Sequence, residues 1–224
     1  MFISDFMTKD VVTIGVESDI SKAKELMNRF RIRHLPVTRA NNKLIGIVSD
    51  RDIRSALPSE HIHDPKLKKM ETENVNGLKV REFMTKNPVF ISQTSTLQDA
   101  LVLIEKCRVG AFPVVNEHLE VVGIISDRDL LNAFISVLGI KEPGALLGIV
   151  VDEDVKEMDR FVQVLIGENI NFGSILVCRN WRPGKRAVFP YLLTKNTATI
   201  KKKFKDLGYV LIDPVDWHIN NSYG

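Results

Sequence analysis

Hydrophobic positions recur twice in the same order along the first 135 residues. Residues 6–57 align without a gap to residues 83–134 at a constant offset of 77, and about a third of the aligned positions are identical. A further group of aligned pairs exchanges one apolar residue for another, so the periodic pattern is kept where the identity is lost. An ungapped match of this length indicates an internal duplication.

Each copy has the pattern of a β-α-β-β-α unit. Apolar residues at Ile20, Ala23, Leu26, Met27 and Phe30 follow Ser18-Asp19 at the spacing of one buried helix face. The neighbouring segments predict strands over 11–14, 35–38 and 44–48, a turn at 41–42 and a helix over 50–57; in the second copy Ser95 opens the helix and 116–120 forms the turn. Because about 50 residues bury too little core alone, we expect the copies to pack about a pseudo-twofold axis.

The last third of the chain has a different pattern. A break at 141–144 precedes a predicted strand (145–151), a helix (154–168), two strands (172–178 and 186–194) joined by a turn at 182–185, a helix (196–207) and a final strand (209–212). This β-α-β-β-α-β order is ferredoxin-like. We therefore predict an α/β (α+β) protein with one repeat over 1–60, a linker over 61–79, a second repeat over 80–140, a ferredoxin-like domain over 145–215 and a tail over 216–224.

The composition favours a cytoplasmic globular protein. Hydrophobic residues make up 44% of the chain, and the formal net charge of +3 is too small to indicate nucleic acid or an anionic membrane as a partner. The start lacks the pattern of a signal peptide, and no apolar run approaches the ~20 residues that span a bilayer. Cys107 and Cys178 lie in apolar contexts without CxxC spacing, which predicts buried free thiols. The linker sequence His61-Ile62-His63-Asp64 has metal-binding residue types, but we expect it to be solvated.

The sequences GIVSDRD, starting at Gly46, and GIISDRD, starting at Gly123, place Ser-Asp-Arg-Asp between a strand and a helix. We call residues 49–52 the first SDRD corner and residues 126–129 the second. The Ser-x-x-Asp spacing is that of a capping box, which satisfies the helix start without any ligand. Three features favour a ligand: glycine in each strand suggests a close approach to the backbone, an arginine in a first helical turn suggests an anion, and a carboxylate can accept two hydrogen bonds from a ribose diol.

The combination FMTK, V-x-I, HLPV or AFPV, and the SDRD corner, present twice, closely resembles the tandem CBS domain pair, also called a Bateman module. The resemblance covers residues 1–135 and implies a non-catalytic regulatory protein that binds AMP, ADP, ATP or an S-adenosyl compound in two clefts between the repeats. It implies ribose contacts by Asp52 and Asp129. It also implies phosphate or ribose contacts by Ser49, Arg51, Ser126 and Arg128.

The same resemblance implies which residues contact the base. In one cleft, which we call the Thr8 cleft, these are Thr8, Val12, Ile32 and Arg33. In the other, the Thr85 cleft, they are Thr85, Val89, Val109 and Gly110. The family pairs the base-contacting segments of one repeat with the corner of the other, so we expect the Thr8 set to face Ser126 and Asp129.

The two clefts are expected to differ. Arg33 and His34 are replaced in the second repeat by Gly110 and Ala111, which leaves more positive charge in one cleft. His34 is either a phosphate contact or a solvent-facing strand residue. Pro88 stands where Val11 stands and lacks the backbone N–H that can read the adenine edge. One strong site and one weak or empty site is the expected outcome.

The C-terminal element order, following a CBS pair, resembles an ACT-type regulatory domain, and the whole arrangement resembles acetoin-utilisation regulatory proteins. ACT domains that bind amino acids usually have glycine in the first strand-to-helix turn, whereas this chain has Asp152-Glu153-Asp154. Pairing of ACT-like domains, and hence a homodimer, is therefore the expectation. The alternatives are a dimerisation scaffold with empty clefts and a nucleic-acid-binding regulator that uses the basic hairpin 179–186. No sequence motif indicates an enzyme.

Overall fold

Two structural units divide the chain. The computed structural model describes residues 1–56 and 77–212, and the units comprise Met1–Leu131 and Asn132–Gly224. The segment 61–64, with its two histidines, lies outside the described residues. In the described parts of the chain, no helix is long and apolar enough to cross a membrane.

The first repeat follows the predicted order. Its elements are β1 (Ile14–Gly15), α1 (Ile20–Phe30), β2 (His34–Arg39), β3 (Lys43–Ser49) and α2 (Asp50–Ala56). The predicted turn between β2 and β3 is present, because Asn41 and Asn42 have φ angles of 60° and 53°, a left-handed conformation that asparagine tolerates. β1 is shorter than the predicted strand 11–14 and pairs in parallel with β2.

The second repeat has the same order from β5 onward, preceded by a short helix and a short strand. It comprises α3 (Val80–Phe83), β4 (Thr85–Lys86), β5 (Ile91–Ser92), α4 (Leu97–Cys107), β6 (Ala111–Val115), β7 (Val121–Ser126) and α5 (Asp127–Val137). Arg31 and Arg108, at equivalent positions, end α1 and α4 with φ angles of 54° and 53°. The two repeats identified in the sequence therefore have the same fold, and their equivalent helices end in the same backbone conformation.

Each repeat completes the sheet of the other. β4 belongs to the second repeat by sequence, but it pairs with β3 of the first, with Thr85 opposite Ile47 and Lys86 opposite Gly46. Reciprocally, the backbone of Thr8 exchanges two hydrogen bonds with that of Ile124, at 2.9 and 3.0 Å. The predicted packing of the two copies thus includes an exchange of their FMTK segments.

Fully buried apolar residues connect the helices and strands of the first unit. Around the first repeat the buried cluster contains Ile20, Ala23, Leu35, Val37 and Val48. The sequence places Phe30 on the same buried helix face, but Phe30 is the last residue of α1 and is 46% exposed.

The second unit contains β8 (Ala145–Leu146), β9 (Gly148–Asp152), α6 (Val155–Gly167), β10 (Phe172–Arg182), β11 (Lys185–Leu192), α7 (Ala198–Asp206) and β12 (Val210–Ile212). Its main sheet has the order β10-β11-β9-β12 with antiparallel neighbours, which is the ferredoxin-like arrangement. Phe161 and Phe204 stack in its core, with ring centroids 5.4 Å apart.

Two further sequence expectations about individual residues are wrong. Both cysteines are exposed: Cys107 lies in the last turn of α4, at the position equivalent to Phe30, and Cys178 lies on the edge strand β10. The helix α4 is capped by Thr96 and not by Ser95, because the Thr96 hydroxyl accepts a hydrogen bond from the Asp99 backbone N–H.

Candidate functional site

The first SDRD corner is a closed hydrogen-bonded turn at the start of α2. The Ser49 hydroxyl and the Ser49 backbone N–H both donate to Oδ2 of Asp52, at 2.6 and 2.8 Å. The Asp52 backbone N–H donates to the Ser49 hydroxyl at 3.3 Å. The capping role suggested by the sequence is therefore present, and it fixes the position of the Asp52 carboxylate.

The second corner repeats this geometry at the start of α5. Ser126 donates from its hydroxyl and backbone N–H to Oδ2 of Asp129 at 2.7 and 2.9 Å, and the Asp129 N–H donates to Ser126 Oγ at 3.3 Å. Among the described residues, Oδ1 of Asp129 has no hydrogen-bond partner, and Arg128 is exposed without an ion pair. Capping thus uses one carboxylate oxygen and leaves the other and the guanidinium for a ligand.

A cleft of about 620 Å³ lies beside the second corner and draws its walls from both repeats. It is lined by Thr8, Asp10, Val11, Val12, Arg31, Ile32, Arg33, His34, Ala111, Ile124, Ser126, Asp127, Arg128 and Asp129. The structure therefore brings together all four base-contacting residues assigned to the Thr8 cleft and the complete second corner. Ala111, a candidate nucleotide-binding residue that stands where His34 stands in the first repeat, lines this cleft as well.

Of the residues assigned to the Thr85 cleft, Thr85 lies near the first corner in the strand register, and Gly110 lies against His34, which is opposite Ser49. β4 places Thr85 opposite Ile47, two residues before Ser49 on β3. Val109 is half-buried and Val89 is 39% exposed. The Gly110 carbonyl accepts a hydrogen bond from the Asp127 backbone N–H, so Gly110 also supports the start of α5.

His34 lies between the two corners. It is half-buried at the start of β2, opposite Ser49 in the strand register. A Cβ atom on Gly110 would lie only 3.3 Å from Cε1 of its ring, which places the imidazole directly against the other repeat. Burial lowers the pKa of His34 below its ordinary value, while the negative charges of Asp127 and Asp52 act in the opposite direction.

Methionine side chains account for the two strand glycines that the sequence associates with a ligand. A Cβ on Gly46 would lie 2.5 Å from Sδ of Met84, and one on Gly123 would overlap Sδ of Met7. Each methionine comes from the FMTK segment that the other repeat supplies. The close approach predicted from these glycines is therefore made by the protein itself, and the glycines give no independent support to a ligand.

The sequence interpretation missed several cleft residues. Arg31, Asp10 and Asp127 all line the Thr8 cleft, and Arg31 adds a third arginine to Arg33 and Arg128. Asp127 belongs to the SDRD motif itself, and Asp10 follows Thr8 by two residues. Their closeness in the sequence to predicted site residues could therefore have identified both. Arg31 ends α1 in a left-handed conformation, which only the structure shows.

The second unit contains a groove of about 880 Å³ near the acidic turn 152–154. Its charged side chains largely pair with one another, as Lys185 does with Asp152 and Arg160 with Glu157. Burial, together with a hydrogen bond to Glu157, raises the pKa of Tyr209 in the same groove. A site whose charges are already paired offers a ligand less than the Thr8 cleft, which has three arginines and an unpaired carboxylate oxygen.

The duplicated β-α-β-β-α fold with a cleft shared between the copies defines a tandem domain pair. The CBS domain family model matches residues 3–59 and 80–136, together about half of the chain. The chain belongs to the CBS domain family. Paired CBS domains are regulatory modules that bind adenine nucleotides or related ligands.

Known proteins resemble the same region. A CBS domain-containing protein of Dictyostelium discoideum is 30% identical over 138 residues, which are 62% of this chain and 94% of that protein. Inosine-5'-monophosphate dehydrogenase of Korarchaeum cryptofilum is 30% identical over 125 residues, which are 56% of this chain and only 22% of the enzyme. The likeness to the enzyme is thus confined to a small part of it.

Two solved structures share the fold. A protein from Vibrio cholerae, assigned to acetoin utilization, is 28% identical, with a TM-score of 0.52 and coverage of 64% of this chain and 98% of that one. CBSX2 in complex with AMP is 26% identical, with a TM-score of 0.50 and coverage of 63% of this chain and 98% of that one. A second CBSX2 structure is that of the Arabidopsis thaliana protein. The predicted tandem CBS fold is confirmed.

Proposed function

We propose that this protein is a non-catalytic sensor of adenine nucleotides and that the Thr8 cleft is its principal binding site. The observation that carries the proposal is the cross-repeat cleft, in which the second SDRD corner faces the base-contacting set of the first repeat. The complex of CBSX2 with AMP supports an adenine nucleotide as the ligand class.

The chemistry of the cleft suits the three parts of a nucleotide. Oδ1 of Asp129 accepts from the ribose hydroxyls, while Ser126 holds the carboxylate in place through Oδ2. Val12 and Ile32 supply an apolar wall for the adenine. Arg128 and Arg33 neutralise the phosphates with charge-assisted hydrogen bonds.

Regulation follows from the construction of the cleft. The walls of the cleft come from both repeats. A nucleotide that binds one arrangement of the repeats more tightly than another therefore favours that arrangement. The proposed output is a shift in the arrangement of the chain or of its partner, with no chemical step on the nucleotide.

Calorimetric titration with AMP, ADP, ATP and S-adenosylmethionine tests the proposal. We expect binding, and we expect Asp129→Ala to weaken it about 10- to 100-fold, since a hydrogen bond to a charged group contributes ~1.5–3 kcal/mol. Asp52→Ala, run in parallel, measures the contribution of the first corner and hence of the Thr85 cleft.

A matched control separates ligand contact from helix capping. Asp99 accepts from the backbone N–H and hydroxyl of Thr96 at 2.8 and 2.7 Å, which is the same hydrogen-bonded box as at the corners, but it does not line the cleft. Asp99→Ala therefore removes an equivalent cap and leaves the affinity unchanged. If Asp99→Ala and Asp129→Ala lower the nucleotide affinity equally, or if none of the four compounds binds, both corners have only a structural role.

We also propose that the second unit is an ACT-like domain that pairs with a second copy of the chain. Its edge strand β10 presents Leu176 and Val177, 46% and 39% exposed, on an 11-residue strand that pairs on one side only among the described strands. An exposed apolar edge strand favours pairing with another strand. Light scattering after size exclusion should show a dimer for the wild type and a monomer for Leu176→Lys, with Leu207→Lys, an exposed site away from the edge, unchanged. A dimer that survives Leu176→Lys would place the interface elsewhere.

The pathway proposal is acetoin utilisation, which rests on the resemblance to the Vibrio cholerae protein. Its test is growth on acetoin of a source strain in which the gene is deleted. Normal growth of the deletion strain would contradict the assignment to acetoin utilisation, while the proposal of nucleotide binding does not depend on this result.

The charges of the basic hairpin argue against the alternative of nucleic-acid binding. Lys185 pairs with Asp152, and Arg186 pairs with Glu153 at 2.9 Å. Two of the cations that would contact phosphates are therefore engaged within the unit. DNA binding with a steep salt dependence would favour the alternative over the sensor.

A further inference from the structure

One imidazole is shared by the two corners. His34 lines the Thr8 cleft together with Ser126 and Asp129, which belong to the second corner. On β2 it stands opposite Ser49, the first residue of the first corner. Its ring packs against Gly110, the residue of the second repeat that is equivalent to Arg33.

The backbone ties this position to both helix starts. The carbonyl of Arg33, next to His34, accepts from the Asp50 backbone N–H at 2.9 Å at the start of α2. The carbonyl of Gly110 accepts from the Asp127 N–H at 3.1 Å at the start of α5. The backbone on each side of the contact between His34 and Gly110 is therefore hydrogen-bonded to the start of one corner helix.

The charges around the ring come from both repeats. Asp52 and Asp50 of the first corner and Asp127 of the second favour a proton on the imidazole, and Arg33 disfavours it. Burial outweighs these charges and lowers the pKa of His34, so the ring is neutral at pH 7 in the protein without ligand. Asp10, Arg31, Arg128 and Asp129 are the other ionisable groups in the wall of this cleft.

We propose that His34 is a positioning residue common to both corners, and that an anionic ligand at one corner draws a proton onto its imidazole and thereby favours an anion at the other. The proposal rests on the proposed nucleotide function for its ligand. The physical step is a proton taken from solvent, with no bond made to the ligand.

The sign of the pH dependence follows from linkage. A phosphate beside the ring raises the pKa of His34 in the complex above that of the free protein. The affinity is therefore constant at high pH and rises as the pH falls through the pKa of His34 in the complex. It levels off below the pKa of His34 in the free protein. One proton limits the slope to a tenfold change in affinity per pH unit.

Two measurements test the proposal. The first is an NMR titration of the protein without ligand, with the His34 signal assigned by its loss in His34→Gln. We expect its midpoint to move to lower pH in Asp52→Asn and also in Asp127→Asn, because each variant removes a negative charge from a different corner. A midpoint that responds to only one of them, or to neither, would show that the ring is not shared.

The second measurement is calorimetry of ATP binding at pH 6.5 in buffers of different ionisation enthalpy. The wild type should take up more protons than His34→Gln, which retains a polar side chain of similar size and so serves as the control for the titration of ATP itself. Equal uptake by the two proteins would overturn the coupling. Absence of binding of AMP, ADP, ATP and S-adenosylmethionine alike would refute the proposed function instead, and the NMR result would stand apart from it.

Discussion

The two SDRD corners have the same internal geometry and different surroundings. Their three hydrogen bonds agree within 0.1 Å between the repeats. Around them, Arg33 and His34 of the first repeat stand where Gly110 and Ala111 stand in the second. The corner is therefore a constant, locally determined element, and these sequence differences fall at the start of the central strand, β2 in one repeat and β6 in the other.

This difference teaches where selectivity arises in a duplicated module. A capping box needs only four consecutive residues, so both copies retain it through local sequence. The charge and volume of each cleft depend on residues that the corner does not constrain. The repeats differ in charge and volume at two adjacent positions, 33–34 and 110–111, and this difference is the basis for expecting two unequal clefts.

The largest expected effect concerns the strand glycines. Gly46→Ala places a methyl group against Met84 Sδ and 3.1 Å from the backbone carbonyl of Thr85, whereas Gly123→Ala meets only the Met7 side chain. We expect Gly46→Ala to lower the free energy of unfolding by about 1–3 kcal/mol, as overpacking does, and Gly123→Ala to lower it less because a side chain can move. Urea denaturation of both variants measures the difference.

A double-mutant cycle with Met84→Ala isolates the contact. If the overlap with Met84 causes the loss, Gly46→Ala costs less in the Met84→Ala background than in the wild type. Equal costs in the two backgrounds would assign the effect to the strand backbone.

The next effect concerns the first helix of each repeat. The Thr96 side chain caps α4, while Asp19, at the equivalent position, makes no capping hydrogen bond to α1. Thr96→Ala should therefore lower the free energy of unfolding by ~1 kcal/mol, and Asp19→Ala by less, although it also loses an exposed ion pair with Lys79. Thermal denaturation of the two variants checks the order, and a larger loss for Asp19→Ala would contradict it.

A smaller effect concerns ligand choice. Arg33→Gly gives the first repeat the residue of the second, and because Arg33 is solvent-exposed we expect only a few-fold loss of ATP affinity, with AMP affected less. The ratio of the ATP and AMP dissociation constants, before and after the change, is the measurement. An unchanged ratio would mean that Arg33 does not reach the outer phosphates.

The smallest effect is the pH dependence of stability. The pKa of His34 is lower in the folded protein than its ordinary value of 6.5, so the unfolded chain binds more protons below that pH. Stability should decline as the pH falls from 7 towards 5, and less steeply in His34→Gln. If the free energy of unfolding depends on pH in the same way in both proteins, the pKa of His34 is the same in the folded and unfolded states.

The fold was predictable because its signals are local and repeated. The ungapped duplication, the turn at Asn41-Asn42 and the helix periodicity correctly predict the β-α-β-β-α units, and element order alone predicts the ferredoxin-like sheet. The exposure of Phe30 and Cys107 was not predictable in the same way. Periodicity identifies a helix face, but it does not show where the covering strands end.

The site was predictable only in part, for a related reason. Motifs identify the SDRD residues. The methionines that contact Gly46 and Gly123, however, belong to the FMTK segments that the repeats exchange, about 38 residues away for Gly46 and about 116 for Gly123. The position of His34 between the corners likewise depends on the packing of β2 against the second repeat. Contacts between distant segments of this kind leave no local pattern in the chain.

The exchange of FMTK segments has a consequence for how molecules assemble. Thr85 and Lys86 complete a sheet that begins in the other repeat, and Thr8 does the same in return. Two chains that trade these segments reciprocally satisfy the same hydrogen bonds as one chain does alone, which is the condition for domain swapping. Refolding at high concentration should therefore produce interlocked dimers that dilution separates only as fast as the repeats unfold.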